Sequence, residues 1–201
     1  LITHPEALAD NGHATNASGR LLQESNNVFG AHFTNAIWQN SYAAINQINL
    51  TLDAIPKLTL VPAPSAAKIA SWRGQLLFLR GLYYFDLARV YAYIPYAVID
   101  QQDRGGVPLV LTGIDNLDSA IARLPARAPI VEVYAQITAD LAAADALLTF
   151  GSTTDVALAN KAAAKGLLAR VHLYNRNYAE AKRLADEAIA LAGTRISTVS
   201  D

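Results

Sequence analysis

Trp72-Arg73-Gly74-Gln75-Leu76-Leu77-Phe78-Leu79-Arg80-Gly81-Leu82-Tyr83-Tyr84-Phe85-Asp86-Leu87-Ala88-Arg89-Val90-Tyr91 is the stretch that decides the fold. Ile69, Trp72, Leu76, Leu79, Tyr83, Leu87 and Val90 recur at steps of three and four, the repeat of one helical face. Leu77, Phe78, Leu82 and Phe85 carry the apolar surface well beyond that face, and a helix apolar most of the way round is enclosed by other helices. Only Arg73, Gln75, Arg80, Asp86 and Arg89 interrupt it. The stretch reads as the central helix of an all-α domain. Leu79, on the assumed core face, is expected to be buried, so that its truncation to alanine would cost about 2–5 kcal/mol. Arg73 and Arg80 share a face, and Asp86 and Arg89, three apart, can pair. The enclosed charges read as structural pairs or caps, with anion or sugar recognition by Arg80 the sharper alternative.

Working outward, Ser65 is suited to cap the start of this helix, because its hydroxyl can accept from a free N–H of the first turn. Upstream, Pro56, Pro62 and Pro64 make a break. Before it, Phe33, Ile37, Ser41, Ala44, Ile48 and Leu52 trace another helical face, which ends at Pro56. Asn46 and Asn49 lie beside that line, placed to bond to a neighbouring helix. Residues 1–19 are polar and read as an irregular lead-in, and Arg20 to Phe29 as a short helix.

Downstream, residues 92–129 contain four prolines and three glycines. A connection this long is unusual in a compact domain and often functional. It holds an apolar run, Gly106 to Leu111, expected as an extended segment on the helices, and one or two helical turns from Asp115 to Ala122. Ile130, Tyr134, Ile137, Leu141, Ala144 and Leu148 then mark an amphipathic helix entered after Pro129 and closed by Gly151, with Glu132, Gln136 and Asp140 on its wetter side. Ser152 to Asp155 is a run of capping residues before the next helix. Residues 158–174 and 178–191, joined by Asn175-Arg176-Asn177, form a helix pair. Leu167, Leu168, Val171 and Leu173 are its expected anchors, and Leu168, Ala169, Tyr178, Ala181 and Ala188 match the spacing of a tetratricopeptide unit. One such unit is too few for a free-standing array, so it is expected to stack on the earlier helices. The fold class is therefore all-α, with tetratricopeptide-like antiparallel pairs packed around the central helix and one long irregular loop at 92–129. Residues 1–201 are expected as a single helical domain, with the pair at 156–193.

The chemistry is sparse. The chain has 201 residues, 52% of them hydrophobic, with a formal net charge of -1 and no cysteine. That balance gives no electrostatic pull toward nucleic acid or an anionic membrane, and it leaves out disulfides and thiolate chemistry. No apolar run approaches the roughly 20 residues of a membrane span, so the chain reads as soluble. The first residues carry no signal-peptide pattern. His4, His13, His32 and His172 are scattered, with no metal-ligand spacing, and His172 reads as packing or surface. No phosphate loop, dinucleotide fingerprint or nucleophile elbow is present. Asp140 and Asp145 read as solvated. No catalytic, metal or cofactor site is expected. Among the aromatics, Trp72 falls on the core face and reads as packing. Trp38, near a helix start and close to Ser25-Asn26-Asn27, is the expected ligand contact together with Asn27. Tyr91, Tyr93 and Tyr96 gather at the exit of the central helix, where they serve either a ligand or the loop.

These segments together carry a family likeness. Tyr42 to Asn49 resembles the Y-x-x-I-N-x-x-N helix of the SusD/RagB family. Arg73 to Leu87 is similar to that family's A-x-x-L-R-A-x-x-Y-F-x-L signature, and Gly106-Val107-Pro108-Leu109-Val110 to its G-x-P-L-V loop. Arg127 to Leu141 resembles its R-x-x-x-x-E-V-Y-x-x-I-x-x-D-L helix, and the pair at 158–191 follows in the matching place. Gln75 departs from the pattern, standing where an acidic residue is common and so removing that partner for Arg80. The resemblance implies a non-catalytic cell-surface lipoprotein of Bacteroidetes-type bacteria. Such a protein binds an oligosaccharide or other nutrient and works with a TonB-dependent outer-membrane transporter. It needs no cofactor and is held to the outer membrane by a lipid anchor absent from this sequence. The chain would be its helical N-terminal part. The alternative reading is a tetratricopeptide-like protein–protein interaction module.

Overall fold

A computed structural model describes residues 22–26, 28, 35–149 and 158–192. Asn27, Gly151 and the capping run 152–155 lie outside them. By compactness the chain divides into two units, Leu1–Tyr42 and Ala43–Asp201. In the first, Leu22–Ser25 makes a single helical turn, where the sequence suggests a helix from Arg20 to Phe29. Helix α1 is Asn35–Ala54, whose residues from Ala43 on belong to the second unit, as does the short 3-10 turn, Ile55–Lys57, that takes over at Pro56.

In the second unit, helix α2 is Ala66–Tyr91. Its start is capped as expected: Ser65 is extended, and its hydroxyl oxygen accepts from the Lys68 N–H at 3.2 Å. The short α3, Leu117–Ala122, is capped by Asn116. Helix α4 is Ile130–Leu147, α5 is Lys161–Tyr174 and α6 is Tyr178–Ala192. The α5 cap is Asn160, whose side chain accepts from the Ala163 N–H at 2.9 Å. No strand occurs among the described residues. Helices α2, α4, α5 and α6 pack as neighbours in chain order, and the residues that meet across them run in opposite senses along each pair. The architecture is the all-α, tetratricopeptide-like arrangement expected.

Helix α4 buries the face that its periodicity marks, Ile130, Tyr134, Ile137, Leu141, Ala144 and then Leu148. Helix α2 does not. Its buried positions include Gly74, Leu77, Arg80, Gly81, Tyr84, Phe85 and Ala88, a face rotated from the expected line, of which only Leu87 is buried and Leu79 is 37% exposed. The cause is glycine. A Cβ on Gly74 would lie 2.8 Å from the Leu148 side chain, and one on Gly81 would lie 2.9 Å from Leu141. These two positions, seven apart, let α4 come closest where hydrophobicity is lowest. Leu79 faces away from that seam, which removes the basis for a large loss on its truncation.

Around the seam, Leu77, Ala144, Leu148 and Ala164 form a buried cluster that Leu52, Phe78, Leu147 and Ala159 complete. Gln75 clamps α5's approach, its amide donating to the Ala159 carbonyl and accepting from the Ala159 N–H at 2.9 Å. At the other end, Phe85 meets Tyr134 and Tyr174 edge-on. Of the expected anchors of the pair, Leu168 and Val171 are buried but Leu173 is exposed. Asp145, Lys165, Glu187 and Arg183 form a partly exposed ladder of ion pairs across α4, α5 and α6. Asp86 and Arg89 pair as anticipated.

Candidate functional site

The connection between α2 and α4 is held by buried polar side chains. Tyr84 is fully buried, and burial pushes its hydroxyl up to about 12. That hydroxyl accepts from the Val110 N–H at 2.7 Å and donates to the Val110 carbonyl at 2.8 Å. Asn49 donates to the same carbonyl at 2.8 Å. The Asn46 amide donates to the Ile114 carbonyl and accepts from its N–H, at 2.9 and 2.8 Å, and Asp53 accepts from the Gly113 N–H. Side chains thus act as the hydrogen-bonding partner that a neighbouring strand would otherwise supply. Both asparagines bond to this loop rather than to a helix backbone.

Behind them lies a buried ion pair. Arg80 Nε donates to Asp140 Oδ2 at 2.8 Å and its Nη2 to Oδ1 at 2.7 Å, the two-pronged geometry that suits guanidinium and carboxylate. Arg80 Nη1 donates to Asn49 Oδ1 at 2.8 Å, and Gln136 to Asp140 at 2.9 Å. Asp140 is 3% exposed, so it is not on the wetter side of its helix. It is the carboxylate that Arg80 needs, supplied by α4 because α2 has none nearby. With every prong of the guanidinium engaged inside the protein, Arg80 serves structure and not anion or sugar recognition.

The first half of the connection, residues 92–105, is an excursion of the size of an Ω-loop. One guanidinium closes its neck: Arg127 Nη1 donates to the carbonyl of Tyr91 at 3.0 Å and to that of Gly106. The Gly106 N–H adds a bond to the Ala128 carbonyl at 2.7 Å. Inside the excursion are a turn at Ile94–Ala97, closed by a 3.2 Å bond, and a 3-10 turn at Asp100–Gln102. Beside the 3-10 turn lies an open cleft of about 440 Å³ lined by Tyr93, Gln101, Gln102, Asp103 and Arg104, a volume typical of small-ligand sites. The Tyr93 hydroxyl donates to Gln102 Oε1 at 3.2 Å, and Asp103 accepts from the Gly105 N–H at 2.8 Å. One aromatic face, two amides that both donate and accept, a carboxylate and a guanidinium suit a ligand dense in hydroxyl groups.

Trp38, the expected contact, lies on α1 within the first unit, half-buried, with its ring centroid 4.9 Å from that of Tyr42. Of the three tyrosines at the exit of α2, Tyr93 lines the cleft, Tyr91 gives its carbonyl to the neck, and Tyr96 stands exposed. Gln101 to Arg104 were not anticipated; their signal is a polar run ended by Gly105-Gly106 inside an already suspect loop. His172 is half-buried, and burial holds it below its ordinary value. Among the described residues no group of histidines and carboxylates is placed to hold a metal ion, and no helix is long and apolar enough to cross a membrane.

Residues 3–173 match the SusD-like family described as starch-binding and associating with the outer membrane. The chain belongs to this family. Solved structures agree. A putative sugar binding protein from Bacteroides vulgatus is 29% identical with a TM-score of 0.70, over 88% of this chain and 37% of that one. A SusD superfamily protein from Bacteroides thetaiotaomicron is 26% identical with a TM-score of 0.67, over 81% and 33%. A laminarin binding SusD-like protein shares the fold, with a TM-score of 0.68 at 22% identity, over 89% of this chain and 35% of that one. The chain therefore spans about a third of the length of these relatives. No curated protein matches it.

Proposed function

We propose that this SusD-like chain is the helical part of a non-catalytic cell-surface protein that binds a neutral oligosaccharide, with the Tyr93 cleft as its binding site. The lining of the cleft carries the reading. A sugar ring has an apolar face for the tyrosine and a rim of hydroxyls for Gln101, Gln102, Asp103 and Arg104. Asp103 and Arg104 bring one charge of each sign to the lining, which favours a neutral ligand. Glycoside hydrolysis ordinarily needs two carboxyl groups across the scissile bond, and Asp103 is the one carboxylate in this lining, already engaged with the Gly105 N–H. The family's description as starch-binding supports the ligand class, and its outer-membrane association supports a surface location and a TonB-dependent transporter as partner. On the sequence reading alone, Trp38 and Asn27 are proposed as ligand contacts in their own right.

Calorimetric titration of the 201-residue chain with starch-derived and laminarin-derived oligosaccharides tests this. Binding is expected, weakened about tenfold by Tyr93→Ala through loss of the stacking face. Absence of binding to either series, or binding indifferent to Tyr93→Ala, overturns the assignment of this cleft.

A further inference from the structure

Among the described residues, two that are not glycine have a left-handed backbone: Tyr96, with φ 66°, and Arg176, with φ 56°. A bulky residue rarely takes this conformation, and it persists where the surroundings hold it there. These two are far apart in the chain, one in the Ω-loop and one in the turn between α5 and α6, and they meet. The Arg176 guanidinium carbon lies 5.7 Å from the centroid of the Tyr96 ring, within cation–π range. Its Nη2 also points to the Tyr96 carbonyl at 3.4 Å.

A contact that only fastened the loop would bury the ring. Instead Tyr96 is 67% exposed, and the adjacent Pro95 is the buried residue of the turn. Proline anchors; tyrosine is displayed. Arginine supports the ring from one side and leaves the rest to solvent. Only three residues separate Tyr96 from Tyr93 of the cleft wall, so their Cα atoms lie within about 11 Å of each other by chain reach alone. That reach covers a short run of rings along one sugar chain.

We propose that the exposed Tyr96 ring, backed by Arg176, is a second stacking platform beside the Tyr93 cleft, so that this site prefers a chain of sugar rings to a single one. The proposal rests on the glycan-binding reading above. It assigns separate duties: the cleft reads the hydroxyls of one ring, and Tyr96 adds affinity when a further ring is present.

The test is titration of the full chain with glucose, maltotriose and maltoheptaose, and with the matching laminari-oligosaccharides, for the wild type, Tyr96→Gly, Tyr96→Phe and Arg176→Gly. Glycine suits a left-handed backbone, so both glycine variants remove a side chain without straining their turns, and a thermal melt checks this. The expected result is an affinity gain of about tenfold from the single ring to the longer chains, consistent with one added stacking contact. Tyr96→Phe keeps that gain, Tyr96→Gly reduces it to within about twofold, and Arg176→Gly falls between, while single-ring binding stays unchanged in all three. A wild type with no gain, or a gain that survives Tyr96→Gly, overturns the platform while leaving the cleft standing. Loss of single-ring binding in Tyr96→Gly also overturns it, because Tyr96 would then be shaping the cleft. Failure of every variant and the wild type to bind removes the cleft assignment and the platform with it.

Discussion

The two halves of the connection between α2 and α4 are held in opposite ways. Residues 106–114 lie along the helices, bonded to Tyr84, Asn49, Asn46 and Asp53, with the Arg80–Asp140 pair buried behind them. Residues 92–105 leave the helices, are closed at the neck by Arg127, and touch the α5–α6 turn through Tyr96 and Arg176. Residues 106–114 thus use buried polar groups for position. Residues 92–105 turn their polar groups to a cleft open to solvent. A binding loop needs a fixed base more than it needs fixed contacts along its length, and here the base is the other half of the same segment.

The comparison breaks most severely if the buried pair does not matter. Asp140→Ala leaves the Arg80 guanidinium buried without its carboxylate, and such unpairing costs about 3–5 kcal/mol. Urea unfolding measures it. A loss below about 1 kcal/mol would show that the anchored half does not depend on this pair. The exposed ladder on α6 is the counter-example: Arg183 pairs with both Glu180 and Glu187 in water, where such pairs contribute little.

Tyr84→Phe should have a smaller effect. It keeps the ring and removes the hydroxyl that serves both polar groups of Val110, leaving the N–H without its acceptor while Asn49 still donates to the carbonyl, at about 1–3 kcal/mol. Alkaline unfolding sharpens the point. The Tyr84 hydroxyl is raised from its ordinary 10.0 to about 12 in the folded protein. Its neutral form is therefore favoured by folding, and the associated stability is complete below pH 10 and lost as pH rises from 10 toward 12. The phenylalanine variant should lose less stability over that interval than the wild type. Equal slopes would mean that the hydroxyl is not in the buried setting described.

Legibility followed the same division. The α4 face could be read because large apolar residues both mark it and fill it. The α2 face could not, because its closest approach to α4 runs through Gly74 and Gly81, which periodicity scores as gaps. That is why Leu79 misled. Arg80 was visible as an enclosed charge, but its partner lies sixty residues away on another helix, and an acidic residue on an amphipathic helix reads as solvated until the packing is known. The Gly106 to Leu111 run declared itself through its apolar residues on both sides of Pro108. Gln101 to Arg104 carry no such mark, since a polar run in a loop looks the same whether it lines a cleft or faces open water.

The subtlest prediction separates the two halves directly. Arg127→Ala removes bonds to the carbonyls of Tyr91 and Gly106, both at the neck of the Ω-loop. Because this side chain is largely exposed, the global loss should be only about 1 kcal/mol. Local behaviour should change more. Amide hydrogen exchange at residues 92–105 should accelerate, while Val110, Gly113 and Ile114, whose N–H groups are bonded to Tyr84, Asp53 and Asn46, should keep their protection. Faster exchange in both halves would mean that Arg127 holds the whole connection and that the two halves are one cooperative unit. Faster exchange in neither would place the loop's order in its own turns and in the Tyr96–Arg176 contact, and would make the neck incidental to the cleft.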